Sequence, residues 1–231
     1  MRLTAIILTH DEAAHIAECI ESVGFADRVL VFDSFSDDAT VMIAKASDAE
    51  VIQRPFDNYA NQRNAALNAA RDTGDGTDWV LFVDADERIS PALAREIQQA
   101  IKIEKPEPGY AGWRIPRHNY IFGKLTRGAG WYPDYQTRLL KIGAARYDPE
   151  RQVHEVVQLD GELGTLTNPI IHYNYRDLAH FTDKQRRYSA YEAKILHDSG
   201  VRPKFRNFIL QPYRQFKWRF IELKGYRDGL H

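Results

Sequence analysis

Over roughly the first hundred positions the chain alternates short apolar runs with stretches of helical periodicity. Thr4–Thr9 (TAIILT) reads as a buried strand, and Asp11 can cap a helix on which Ile16, Ile20 and Val23 recur at helical spacing. Arg28–Phe32 (RVLVF) is a second strand ending at Asp33-Ser34, and Asp37-Asp38-Ala39-Thr40 opens a second helix with carboxylates at its positive end. Val51–Gln53 is a short third strand, followed by a helix over Asn58–Ala70 rich in alanine and asparagine. Trp79–Val83 (WVLFV) is a fourth buried strand that stops at Asp84-Ala85-Asp86. Ser90-Pro91 then supplies an N-cap and a first-turn proline for a helix expected to reach about Lys105. This alternation predicts an α/β fold, a mostly parallel sheet flanked by helices. Ligands on such sheets bind beyond the carboxyl ends of the strands, at a topological switch point. Three strands end there in polar residues: Thr9-His10-Asp11, Asp33-Ser34 and Asp84-Ala85-Asp86.

After Lys105 the pattern changes. Tyr110–Tyr120 and Gln136–Lys141 look like strands separated by a glycine-rich loop, Gly123–Gly130, and Arg151–Val157 is another short strand centred on His154 and Glu155. Asp177 to about His197 is a long polar helix, and Phe205–Lys224 is aromatic and basic. The expected organisation is one α/β domain over residues 1–175, its halves meeting near residue 105, and a helical basic-aromatic extension over 176–231.

Composition adds limits. The 231 residues, 44% hydrophobic, suffice for one sizeable core. The single cysteine, Cys19, excludes an internal disulfide and suits a reducing compartment. The apolar run before His10 is too short for a signal peptide, and no segment has the length of a membrane span, so a cytoplasmic or peripheral protein is expected. Net charge is −1, yet eight Lys or Arg stand against Glu222 and Asp228 between Gly200 and His231. That basic tail suggests an anionic surface as its partner.

Asp84 and Asp86 sit two apart at a strand end, where alternation lets both face one side. Carboxylates crowded in this way repel each other unless a cation joins them. Mg²⁺ or Mn²⁺ takes oxygen ligands and completes its shell with substrate phosphates. A helix-capping acidic turn is the plainer alternative, because two aspartates at that spacing are a weak signal by themselves.

Four segments in order, TAIILTHDEAAHI, VLVFDSFSDDAT, NQRNAAL and WVLFVDADE, make the sequence resemble glycosyltransferase family 2 over roughly residues 2–157. The later GWYPDYQTRLLK and RQVHEVV look like the bacterial glucosyltransferases that build the lipopolysaccharide inner core. The resemblance implies the GT-A (Rossmann-like) fold, a UDP-sugar donor and a divalent cation. It puts Thr9 and Asp11 against the nucleotide, Asp33 on the base, and Arg63 near the phosphates. Asp84 would approach the ribose or metal, Asp86 would ligate the metal, and His154 could complete its shell, an imidazole that suits Mn²⁺. Asp134, upstream of Arg138-Leu139, matches the family's general base, with Glu155 as the alternative. The family's Asn in the first motif is here His10-Asp11, and its Glu-Asp pair is Pro133-Asp134.

Arg117, His118, Lys124 and Arg127 flank a loop with Tyr120, Phe122, Trp131 and Tyr132, which suits a phosphorylated saccharide or glycolipid acceptor or is an ordinary surface loop. From Tyr213, helical spacing aligns Phe216, Phe220 and Leu223, with Lys217 and Lys224 at the border. That face fits an interfacial helix on anionic lipid at the inner face of the plasma membrane, or a helix packed on protein. The stop two residues after Gly229 leaves room for a longer native chain.

The leading expectation is an inverting transfer of a hexose, glucose first, from a UDP-sugar to a lipid-linked or lipopolysaccharide-core acceptor, with no nucleic acid as partner. One alternative is a sugar-nucleotide nucleotidyltransferase, against which THDEAAH lacks the glycine-rich phosphate loop. The other is a non-catalytic nucleotide-sugar or glycan-binding module on the same fold.

Overall fold

A computed structural model describes residues 1–72, 76–103, 109–149 and 156–229. They form two compact units, Met1–Arg117 with Tyr135–Ile171 and His118–Asp134 with His172–His231.

In the first unit the chain runs β1 (Arg2–Thr9), α1 (Ile16–Ser22), β2 (Arg28–Asp33), α2 (Thr40–Ala46), β3 (Glu50–Gln53), α3 (Tyr59–Asp72) and β4 (Thr77–Asp84). A short β5 (Glu87–Ile89) and α4 (Pro91–Ala100) follow, and then β6 (Tyr110–Ile121) begins. The sheet order is β3-β2-β1-β4-β8-β6-β12-β5, where β8 is Asp134–Lys141 and β12 is Ile170–Tyr175. Strands β3, β2, β1 and β4 are parallel, and β8 pairs with β4 antiparallel. The chain winds from β1 outward to β3, and α3 then returns it to β4 on the other side of β1. The direction of winding therefore reverses between β1 and β4, and the crevice at their carboxyl ends is the binding position of this architecture.

Both faces of β1 are covered, which is why TAIILT is apolar without alternation. Ala5 and Ile7 pack with Ile16, Cys19 and Ile20 of α1 and with Leu93 and Ile97 of α4. Ile6 faces the other way, with Phe82, Val80 and the α3 residues Ala66 and Leu67. Phe82 is fully buried, and truncating it to alanine costs about 3–5 kcal/mol at such a position.

Several expectations change. Asp11 does not cap α1, whose N-cap His15 makes no side-chain capping bond. Asp11 sits instead at φ 56° and its carboxylate accepts the Asp37 amide at 2.8 Å. Asp38 does serve the second helix, accepting the Thr40 amide at 2.9 Å. Ser90 caps α4 as expected, accepting from the Leu93 amide at 3.2 Å, but that helix ends at Ala100. The signals missed are short. β9 (Ala145–Tyr147) and β10 (Val157–Leu159) form a two-stranded ribbon, and β11 (Glu162–Thr165) pairs parallel with β6. The strand expected over residues 151–157 falls outside the described residues except at its last positions.

In the second unit β7 (Lys124–Thr126) pairs antiparallel with the end of β6. α5 (Leu178–Asp198) is capped by Asp177, which accepts the His180 amide at 2.8 Å. α6 (Phe205–Phe216) buries none of its residues. The helical face expected to continue to Leu223 does not: Lys217–Glu222 is a π-helical turn, so the 3.6-residue spacing stops at Phe216. Phe216 and Phe220 stack with centroids 5.0 Å apart, while Leu223 lies beside Gly130. Among the described residues no helix is long and apolar enough to cross a membrane.

Candidate active site

Asp84 ends β4 where its apolar run leaves the core, opposite Leu8 in the register of β1. The turn that follows is closed by Glu87, whose Oε2 accepts the Asp84 amide at 3.0 Å. Glu87 has no exposed side-chain surface, and its Oε1 accepts from Arg117 at 3.2 Å and from Arg138 at 3.1 Å. Arg138 also holds Asp84 with both terminal nitrogens, Nη1 donating to Oδ1 at 3.1 Å and Nη2 donating to Oδ2. Arg63 adds a third cation, 3.6 Å from Asp84 Oδ1, its guanidinium lying over the rings of Phe82 and Tyr147. Burial pulls the Asp84 carboxyl up, but Arg138, Arg63 and Arg117 overcome it and hold the group well below the usual carboxylate range. Burial opposes the charge of Arg138 too, and Asp84 and Glu87 restore it, so its guanidinium is raised and stays protonated.

Three guanidiniums, each able to bind an anion, thus surround two carboxylates. Asp86, half-buried on the same turn, is the carboxylate of the pair that Arg138 does not hold. Among the described residues no three His, Cys, Asp or Glu form a metal-binding group, and the expected third member, His154, lies outside them, as does Glu155. The hard oxygen of Asp86 at this edge fits a Mg²⁺ or Mn²⁺ ion.

The other nucleotide candidates sit on the neighbouring strand ends. Thr9 is buried at the end of β1, and its hydroxyl has no hydrogen-bond partner among the described residues. Asp33 is fully buried and accepts from Ser36 N at 3.0 Å, Ser36 Oγ at 2.5 Å and Gln53 Nε2 at 2.9 Å. Asp11 N donates to Ser36 Oγ at 2.9 Å, so the loops after β1 and β2 are tied together. A cavity of about 290 Å³ opens beside Arg63 and Arg138, walled by Tyr135, Tyr147, Val157 and Leu163. A larger one, about 520 Å³, lies at the amino-terminal edge, by Arg28 and Glu50. Strand polarity favours the smaller cavity, since the carboxyl ends carry the chemistry.

In the second unit Asp134 Oδ2 accepts from Asn119 Nδ2 at 3.1 Å. The same amide nitrogen donates to Trp131 O at 3.2 Å, and Asn119 Oδ1 lies 2.6 Å from His172 Nδ1. With Nδ2 donating twice, Oδ1 is the acceptor and His172 carries its proton on Nδ1. Asn119 is fully buried, so this chain fixes one oxygen of Asp134. Nearby, His118 and Arg127 both lie against Tyr132, at 5.2 and 5.7 Å. Burial, and then Arg127, push the His118 imidazole below its ordinary value.

Sequence reasoning missed Glu87 and Arg138 as partners of Asp84, and Asn119 and His172 behind Asp134. The available signal was a charged or amide residue inside an otherwise apolar strand, as Arg138 stands before Leu139 and Leu140.

A switch-point sheet with carboxylates and guanidiniums at its carboxyl edge defines the class, an α/β protein whose ligand site lies at the carboxyl ends of its strands. The family model of glycosyl transferase family 2 matches residues 4–147, and the chain belongs to that family. Its fold is GT-A, and its activity is glycosyl transfer. The lipopolysaccharide core biosynthesis glycosyltransferase LpsC of Rhizobium meliloti is 29% identical over 99% of this chain and 84% of its own length. An uncharacterised glycosyltransferase of Rickettsia felis is 30% identical over 90% of this chain and 74% of its own. A mycobacterial protein of solved structure shares the fold, with TM-score 0.50 and 17% identity over 77% of this chain and 69% of that one.

Proposed function

We propose that the chain is an inverting, metal-dependent transferase that moves a hexose, glucose first, from a UDP-sugar to a saccharide of the lipopolysaccharide core or a related glycolipid. The observation that carries this reading is the cluster of Arg63, Arg138, Arg117, Asp84 and Glu87 beside Asp86 at the switch-point edge. The likeness to LpsC, named for lipopolysaccharide core biosynthesis, supports the acceptor class.

Thr9, Asp11 and Asp33 line the nucleoside, and Arg63 faces the phosphates. Asp86 would hold the divalent cation, with His154 as a further ligand. Asp84 is shared with the nucleotide through its hold on Arg63 and Arg138. A divalent cation held there would supply charge neutralisation for the leaving diphosphate. The acceptor hydroxyl oxygen attacks the anomeric carbon from the face opposite the leaving group. The bond to UDP oxygen breaks, its electron pair leaves with the diphosphate, and the hydroxyl proton passes to the carboxylate of Asp134. Glu155 is the alternative base. The exposed basic-aromatic face of α6 supports a peripheral place on anionic lipid at the inner face of the plasma membrane.

The deciding experiment is UDP release from a panel of UDP-sugars with Mn²⁺ and with Mg²⁺. Slow hydrolysis without acceptor, accelerated by lipopolysaccharide from a strain lacking the gene, is expected. A folded protein that binds UDP-sugar and never releases UDP is a binding module, and pyrophosphate-dependent formation of UTP indicates a nucleotidyltransferase.

A further inference from the structure

The glycine-rich loop at 123–130 is not held by its own neighbours alone. Asp228, on the 3₁₀ turn Gly225–Asp228, accepts the Gly128 amide on Oδ2 at 2.5 Å and the Arg127 amide on Oδ1 at 3.3 Å. Its backbone carbonyl accepts from Lys124 Nζ at 3.1 Å. Just upstream, Leu223 O accepts the Ala129 amide at 2.9 Å, and Arg219 Nη1 donates to Ala129 O at 3.3 Å. Three consecutive loop residues, Arg127 to Ala129, are therefore fixed through their backbones by a segment about a hundred positions later in the chain.

The approach is close enough to require glycine. A Cβ on Gly128 would lie 2.6 Å from Asp228 Oδ2 and 2.8 Å from Lys224 O. The carboxylate is the right group for this task, because an ionised acceptor binds two amides more strongly than a neutral one. What the clasp fixes is chemically useful. Arg127 leaves it with its guanidinium over the half-exposed ring of Tyr132, and His118 lies against that same ring. The exposed Arg127 guanidinium, a group suited to a phosphate, is thus held in place beside Tyr132 and His118.

We infer that Asp228 is a positioning residue for the saccharide acceptor, acting through the backbone of Arg127 and Gly128 rather than by touching the acceptor itself. The inference rests on the transferase reading for the identity of the acceptor. Without the clasp, a loop with Gly123, Gly128 and Gly130 samples many backbone states, and acceptor binding has to order it first.

The test uses the full chain and, as probe, the deacylated core oligosaccharide of lipopolysaccharide from a strain lacking the gene. Calorimetry gives its Kd and that of UDP with Mn²⁺, and hydrogen exchange follows the amides of residues 127–129. Asp228→Ala and Gly128→Ala reach the clasp from opposite sides. Both should weaken the oligosaccharide at least tenfold, leave UDP within twofold, and speed amide exchange at the loop. Asp228→Asn, which keeps one acceptor oxygen, should fall between. An oligosaccharide Kd within twofold of wild type in both variants overturns the inference, as does unchanged exchange at 127–129. Wild type that hydrolyses UDP-sugar but does not bind the oligosaccharide overturns it while leaving the transferase reading intact. Oligosaccharide binding that depends on Asp228, with no UDP release from any UDP-sugar, sinks the transferase reading and leaves the inference standing.

Discussion

Arg138 grips Asp84 with both ends of its guanidinium and reaches Glu87 from the same Nη2 nitrogen at 3.1 Å. One buried cation thereby joins the last residue of β4 to the turn that carries Asp86. The arrangement costs desolvation and is held by its geometry, so breaking it from one side leaves a charge with nothing to face.

Arg138→Met leaves Glu87, which has no exposed side-chain surface, with Arg117 as the one cation that holds it among the described residues. We expect a loss of about 3 kcal/mol or more in urea unfolding, since removing one member of a buried pair is the costly change. Arg138→Lys should recover little of it, because a point charge cannot make the two-pronged contact.

The same pair sets an acid limit on stability. The folded Asp84 carboxyl lies below its ordinary value of 3.8, so its contribution is fully present above that pH and is lost as pH falls through the folded value. Wild type should therefore lose stability on acidification below about pH 4, and Asp84→Asn should be flatter over that window. Parallel slopes in the two proteins, read from thermal melts between pH 5 and about 2, count against the pairing.

Asp86→Ala is expected to lower turnover by roughly a hundredfold or more and to remove Mn²⁺-dependent UDP binding, the scale of losing charge stabilisation at a leaving diphosphate. Arg138 should still hold Asp84 and Glu87 in this variant, since its contacts with them do not involve Asp86. A variant that binds Mn²⁺-UDP normally would move the metal elsewhere.

Asp134→Asn keeps the shape that Asn119 and His172 support and removes the carboxylate proposed as the base. Transfer should fall by about a hundredfold or more, with UDP affinity unchanged. If transfer persists, Glu155→Gln becomes the decisive variant.

Phe205, Phe208 and Phe216 are 83%, 69% and 58% exposed on a helix that buries none of its residues. Each phenylalanine moved out of water is worth about 1.5–3 kcal/mol. Phe208→Ser with Phe216→Ser should reduce sedimentation with phosphatidylglycerol vesicles at least tenfold, and salt should weaken wild-type binding. Equal binding to neutral phosphatidylcholine vesicles removes the electrostatic part of the idea.

Much of this molecule is local and was readable along the chain. The apolar runs mark β1, β2 and β4 because each buries both faces, and Ser90 and Asp177 announce their helices through a single capping oxygen. Asp11 misled for a related reason. The signal for a cap is a polar residue before a periodic stretch, and a loop aspartate bound to the Asp37 amide gives the same signal. The π-helical turn after Phe216 is hidden because side-chain spacing does not reveal where the backbone changes pitch.

The sequence by itself determined the alternation of elements, the three strand ends that carry Thr9, Asp33 and Asp84, and the family. Only the tertiary structure decided that Arg138 and Glu87 complete Asp84, that Asn119 and His172 stand behind Asp134, and that Asp228 closes on Gly128. The reason is reach. Periodicity and capping report on neighbours within a few residues, whereas Arg138 meets Asp84 across 54 positions and Asp228 meets Gly128 across 100. Such meetings are set by strand order, register and the paths of loops, which no local pattern encodes.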